Sequence, residues 1–148
     1  MSLGLYLHIP YCFSKCRYCD FYSHPGERGV PDAYVNALLR ELSRFAPEAP
    51  LQPDTLYFGG GTPSLLRPEQ AKRLIDAARP MPGAEITLEA NPETVTEERL
   101  AGFREAGVNR ISFGVQSARD TQLRTLGRPH TAKQARAAFA AARRAGFA

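Results

Sequence analysis

Cys12, Cys16 and Cys19 are the only thiols in this 148-residue chain, and all three fall in one eight-residue window. An odd number at such short spacing is a poor disulfide framework, which needs partners placed across a fold. Metal or redox chemistry in a reducing compartment accounts for them better. Thiolates are soft ligands suited to iron–sulfur clusters, which normally take four protein ligands. One loop with this spacing can wrap three corners of a cubane and leave the remaining iron free for a small molecule. A structural zinc site would need four closed ligands and would have to recruit His8, His24 or Asp20. Three inert buried thiols are the poorest reading, because Lys15 and Arg17 between them are hard to bury.

The elements that must position this loop follow from periodicity. Strands are expected over Leu3 to His8, Thr55 to Phe58, Glu85 to Ala90 and Asn109 to Val115. Helices are expected over Asp32 to Phe45, Pro68 to Arg79, Thr96 to Ala106, Asp120 to Leu126 and Thr131 to Ala145. Strands alternating with helices imply an α/β fold with a parallel sheet and outer helices. The open edge after the fourth strand calls for a further strand, so the expectation is an incomplete barrel, truncated after about four β/α units. On that reading the 148 residues alone would give an unstable product with exposed apolar barrel surface.

Ligand-binding residues of a parallel barrel gather at the C-terminal ends of its strands. Gly59-Gly60-Gly61-Thr62 follows the second strand, where successive glycines let backbone approach a ligand closely. No Gly-Lys-Ser/Thr follows, so it is not a phosphate loop. Glu89 ends the third strand. Gln116 ends the fourth with an amide that can donate and accept. Arg128 follows a short helix and suits a carboxylate partner. Taken singly, each is as well explained by a solvated strand end or a flexible turn.

The formal charge of +4 comes from Lys and Arg spread along the chain. Without a basic run or an interleaved aromatic stripe, it does not favour nucleic acid. No apolar run reaches the length of a bilayer span, and the first residues lack the order of a secretory signal. The simplest expectation is a soluble cytoplasmic protein.

Taken together and in order, these stretches resemble the radical S-adenosylmethionine proteins, and within them the coproporphyrinogen dehydrogenase-like group. The matching segments are Leu-Tyr-Leu-His-Ile-Pro-Tyr-Cys, Tyr-Phe-Gly-Gly-Gly-Thr-Pro-Ser, Leu-Glu-Ala-Asn-Pro, Ser-Phe-Gly-Val-Gln-Ser and Leu-Gly-Arg-Pro-His-Thr, spanning nearly the whole chain. The resemblance implies a 4Fe–4S cluster on Cys12, Cys16 and Cys19, with the amino and carboxylate groups of S-adenosylmethionine chelating the unique iron. It implies ligand contacts for Tyr6, Tyr18, Gly60, Gly61, Thr62, Glu89, Gln116 and Arg128, with Tyr18 bordering the adenine. It also implies that residues 1–148 are the N-terminal portion of a partial (β/α)6 radical-SAM core domain. His8 belongs to the shared motif and is given no role; a satisfied core histidine accounts for it equally well.

That group holds an anaerobic enzyme that oxidatively decarboxylates coproporphyrinogen III and a haem chaperone that resembles it. The enzyme's pattern has a further cysteine two residues after the third. Here that position is Phe21, which offers neither a hydrogen donor nor a nucleophile. This departure, with Ala90-Asn91-Pro92 after Glu89, matches the chaperone type. The resemblance then implies haem as bound cargo, respiratory haemoproteins as acceptors, an electron donor and a homo-oligomer.

Overall fold

A computed structural model describes residues 2–26, 28–45 and 51–147; Met1 and Ala148, the ends of the expected domain, lie outside them. The strands are β1 (Gly4–Ile9), β2 (Tyr11–Cys12), β3 (His24–Pro25), β4 (Thr55–Gly60), β5 (Glu85–Ala90) and β6 (Arg110–Phe113). The helices are α1 (Asp32–Phe45), α2 (Pro68–Ala78), α3 (Glu97–Ala106), α4 (Asp120–Leu126) and α5 (Ala132–Arg144). A four-stranded parallel sheet runs in the order β1-β4-β5-β6, as the strand–helix alternation implies.

Successive side chains of a strand point to opposite faces. On one face Leu7, Ile9, Leu56, Phe58, Ile86 and Leu88 are buried against Leu74, Ile75, Leu100 and Phe103 of the helices. Burying each such side chain stabilises by about 1.5–3 kcal/mol, which makes this layer the main source of cohesion. The register places Tyr6, Tyr57, Thr87 and Arg110 in one row of the other face, with Glu89 beside Ser112 one row higher.

Helix starts and stops are set locally. Thr96 caps α3, its Oγ1 accepting from the Arg99 N–H, and Gly107 closes it at φ 111°. Thr131 and Gln134 form a capping box on α5. Pro68 opens α2 at a position whose N–H needs no partner.

Two departures from the sequence reading matter for the site. β4 continues through Gly59 and Gly60, because both pair with His8 and Ile9 of β1. These glycines are ladder residues rather than a free turn. Second, β2 and β3 form a small parallel pair that closes the intervening cysteine arm at its base. Two residues per strand are too few for a periodicity to reveal.

Candidate functional site

The C-terminal ends of β4, β5 and β6 and the arm that runs from Cys12 of β2 toward β3 enclose a cavity of about 650 Å³, within the usual size range of small-molecule sites. Its wall includes Cys12, Cys16 and Cys19, together with Tyr18, Gly60, Gly61, Thr62, Glu89, Gln116 and Arg128. Residues separated by more than a hundred positions are therefore brought to one place. Tyr6 is not brought there. It stands lower on the open face, its ring stacked on Tyr57 and its hydroxyl 3.1 Å from His8 Nδ1.

Backbone bonds hold the cysteine arm. The Thr62 N–H donates to the Tyr11 carbonyl at 2.7 Å, and the Gly61 N–H to the Ile9 carbonyl at 2.8 Å. Further along, the Arg17 N–H donates to the Leu126 carbonyl at 3.2 Å, tying the arm to the end of α4. Cys12 is buried; Cys16 and Cys19 are partly exposed.

The glycines answer to this packing first. A Cβ on Gly61 would lie 2.7 Å from the Tyr11 carbonyl oxygen and 2.9 Å from Cys12 Sγ. Gly60 has φ +118°, and a Cβ there would meet the His8 ring at 2.7 Å. Close approach to β1 at Gly60 and to the cysteine arm at Gly61 requires these glycines even before any ligand is considered.

Several polar residues of the wall hold defined partners. Glu89 accepts from the Tyr57 hydroxyl at 2.8 Å and from the Gly60 N–H at 3.2 Å, which fixes the carboxylate at the strand end. The Tyr57 phenol is raised above the usual tyrosine range by burial and then by its bond to Glu89. Burial also raises the Tyr18 phenol, with the Arg128 guanidinium pulling the other way. Gln116 adopts φ 65°, an unusual backbone conformation for a residue other than glycine. Thr62, 2% exposed, and Arg128, 9% exposed, donate to Cys12 Sγ and Cys16 Sγ respectively.

Sequence reasoning gave no role to Asn91, which lines the cavity and bonds both Thr62 and Arg128. The signals it gave were its place after a strand end, before Pro92, and its membership of the Leu-Glu-Ala-Asn-Pro segment. Among the zinc-completing candidates, only Asp20 lines the cavity. The ring nitrogens of His8 face the Tyr6 hydroxyl and the Tyr22 carbonyl, and His24 sits in β3 outside the wall. Among the described residues, no three His, Cys, Asp or Glu side chains close on one point as the ligands of a single ion.

The family model for the Radical SAM superfamily matches residues 6–148. The chain belongs to this superfamily. As a radical SAM protein it is 46% identical over 142 residues to the heme chaperone HemW of Escherichia coli (strain K12), covering 92% of this chain and 38% of that protein. It is 41% identical to the heme chaperone HemW of Haemophilus influenzae, covering 98% of this chain and 40% of that protein. Its structure superposes on coproporphyrinogen III oxidase (HemN) from Escherichia coli, described as a radical SAM enzyme, with TM-score 0.87 and 32% identity. That match covers 99% of this chain and 35% of the oxidase. The chain thus spans roughly two-fifths of the length of these relatives, and its α/β sheet corresponds to part of the oxidase's radical SAM fold.

The residues present suit the cluster that the superfamily name implies. Three thiols, soft donors of the kind iron–sulfur clusters take, share one cavity wall, and two of them receive hydrogen bonds. Cys12, Cys16 and Cys19 would hold that cluster through their thiolates. No described helix is long and apolar enough to cross a membrane.

Proposed function

We propose that residues 1–148 form the cluster- and S-adenosylmethionine-binding part of a cytoplasmic haem chaperone. Cys12, Cys16 and Cys19 would hold the 4Fe–4S cluster and would leave one iron for the amino and carboxylate groups of the ligand. When bound, the cluster supplies an electron able to open the sulfonium. Tyr18 borders the adenine from the arm. Glu89, oriented by Tyr57 and the Gly60 N–H, takes a ribose hydroxyl or the amino group. Gly60, Gly61 and Thr62 shape the methionyl side of the cavity. Gln116 and Arg128 face it from the β6 side, the guanidinium suited to a carboxylate. Tyr6 lies outside this wall and is left out of the contact set.

The observation that carries the chaperone reading is Phe21. It lines the same cavity two residues beyond Cys19, where the decarboxylating enzyme's pattern has a thiol. A phenyl ring there can neither donate a hydrogen atom nor attack a carbon. The likeness to proteins named heme chaperone at 41–46% identity supports the same reading. Haem would be the cargo and respiratory haemoproteins the acceptors, with a separate electron donor and a homo-oligomeric assembly of the complete gene product.

The second reading, oxidative decarboxylation of coproporphyrinogen III, is favoured by the structural match to the oxidase. Haem titration of the complete gene product separates the two. Stoichiometric haem binding without coproporphyrinogen turnover is expected. Turnover of coproporphyrinogen without stoichiometric haem binding reverses the assignment.

A further inference from the structure

Four hydrogen bonds join two of the three cysteine sulfurs through a single unbroken path. Arg128 Nη1 donates to Cys16 Sγ at 3.2 Å, and Arg128 Nη2 donates to Asn91 Oδ1 at 2.6 Å. Asn91 Nδ2 donates to Thr62 Oγ1 at 3.2 Å, and the Thr62 hydroxyl donates in turn to Cys12 Sγ at 3.6 Å.

The directions are fixed by chemistry. A guanidinium only donates, so the amide oxygen of Asn91 must face Arg128 and its nitrogen must face Thr62. With that nitrogen occupying an acceptor position on its oxygen, the Thr62 hydroxyl turns its hydrogen to the sulfur. No carboxylate at position 91 could serve both ends, because it would accept from Arg128 and have nothing to give Thr62. The surroundings leave no room for slack. A Cβ on Gly114 would lie 2.7 Å from Asn91 Oδ1 and 3.0 Å from Arg128 Nη2. Thr62 and Arg128 are both buried.

We propose that Asn91 is a positioning residue that aims Thr62 and Arg128 at the cysteine sulfurs and thereby raises the reduction potential of the cluster they hold. This rests on the cluster assignment above. Hydrogen bonds to cysteine sulfur stabilise the extra negative charge of the reduced cluster, and such outer partners tune potential as well as geometry. Thr62 and Arg128 act on two different thiolates, and Asn91 makes the two bonds one unit.

The test is a redox titration of the complete gene product, reconstituted anaerobically with iron and sulfide, with the reduced cluster followed by electron paramagnetic resonance and no sulfonium ligand added. Thr62→Ser keeps the hydroxyl and is expected to titrate with the parent. Thr62→Val and Asn91→Leu are each expected to titrate lower, with about three- to tenfold less reduced relative to oxidised cluster at the parent midpoint, the scale of a lost hydrogen bond. Asn91→Leu shifts further, since it releases both partners. The double variant is expected to fall short of the summed shifts, because without Asn91 the Thr62 hydroxyl is no longer turned to Cys12. Where Asn91→Leu does not assemble a cluster, Asn91→Ala carries the test with the same expected direction of shift. A midpoint equal to the parent in either Asn91→Leu or Thr62→Val, or shifts that simply add, overturns the proposal. A parent protein that assembles no reducible cluster overturns the cluster assignment first, and this inference with it.

Discussion

Along β4, Leu56 and Phe58 disappear beneath the helices, whereas Tyr57 between them stands on the opposite face and donates to Glu89. The same alternation separates Leu88 from Glu89 on β5. The helix-facing side is held by apolar area, where any well-packed side chain of similar volume serves. The other side and the strand ends depend on particular atoms. Glu89, Thr62, Asn91 and Arg128 each hold defined partners there. Substitutions on the first side should therefore cost stability, and those at the second should cost the site while sparing the fold.

The largest expected break in that contrast comes from the arm. Cys19→Ala should abolish iron loading in anaerobic reconstitution, while the unfolding free energy of the metal-free protein stays within about 0.5 kcal/mol of the parent. On the other side, Phe58→Ala removes a fully buried ring from the helix-facing layer and should cost about 3–5 kcal/mol in a denaturant titration. A smaller effect that crosses the boundary is expected from Gly61→Ala. Its methyl would press on the Tyr11 carbonyl and Cys12 Sγ, costing about 1–3 kcal/mol and lowering iron content together.

Tyr57→Phe should be mildest, near 1 kcal/mol from the lost bond to Glu89. It also has a pH signature. The folded protein holds the Tyr57 proton more tightly than the unfolded chain does, through burial and Glu89. That stabilisation is present below the ordinary tyrosine range, near pH ~10, and is lost as pH climbs through the raised value. Tyr57→Phe should flatten part of the alkaline loss in a pH series of thermal melts. Tyr6, Tyr18 and Tyr34, raised for similar reasons, retain the remainder.

Much of this architecture was legible because it rests on short-range rules. The third strand matches its expected limits, as do α1 and α4, and Thr96 caps α3 as its position suggested. The three cysteines, and Tyr18, Gly60, Gly61, Thr62, Glu89 and Gln116 of the cavity wall, had a readable position in the chain, at or after a strand end or next to the cysteines. What stayed hidden was long-range pairing. Gly59 and Gly60 read as a turn until β1 supplied their ladder partners. Asn109 looked like the first residue of the fourth strand. In the fold its side-chain amide bridges the Ala84 carbonyl and the Ile86 N–H, and β6 begins at Arg110. Tyr6 shares a motif with the site but is turned by its register onto Tyr57. Asn91 gave no periodic or compositional sign, because its meaning depends on Arg128, 37 positions away.

That Cys12, Cys16 and Cys19 leave one iron open is tested most directly by Mössbauer spectroscopy of the complete gene product, reconstituted with isotopically enriched iron under anaerobic conditions. The expected spectrum resolves one iron distinct from the other three, and its parameters shift when S-adenosylmethionine is added. A spectrum with no differentiated iron, unchanged by saturating ligand, would contradict it.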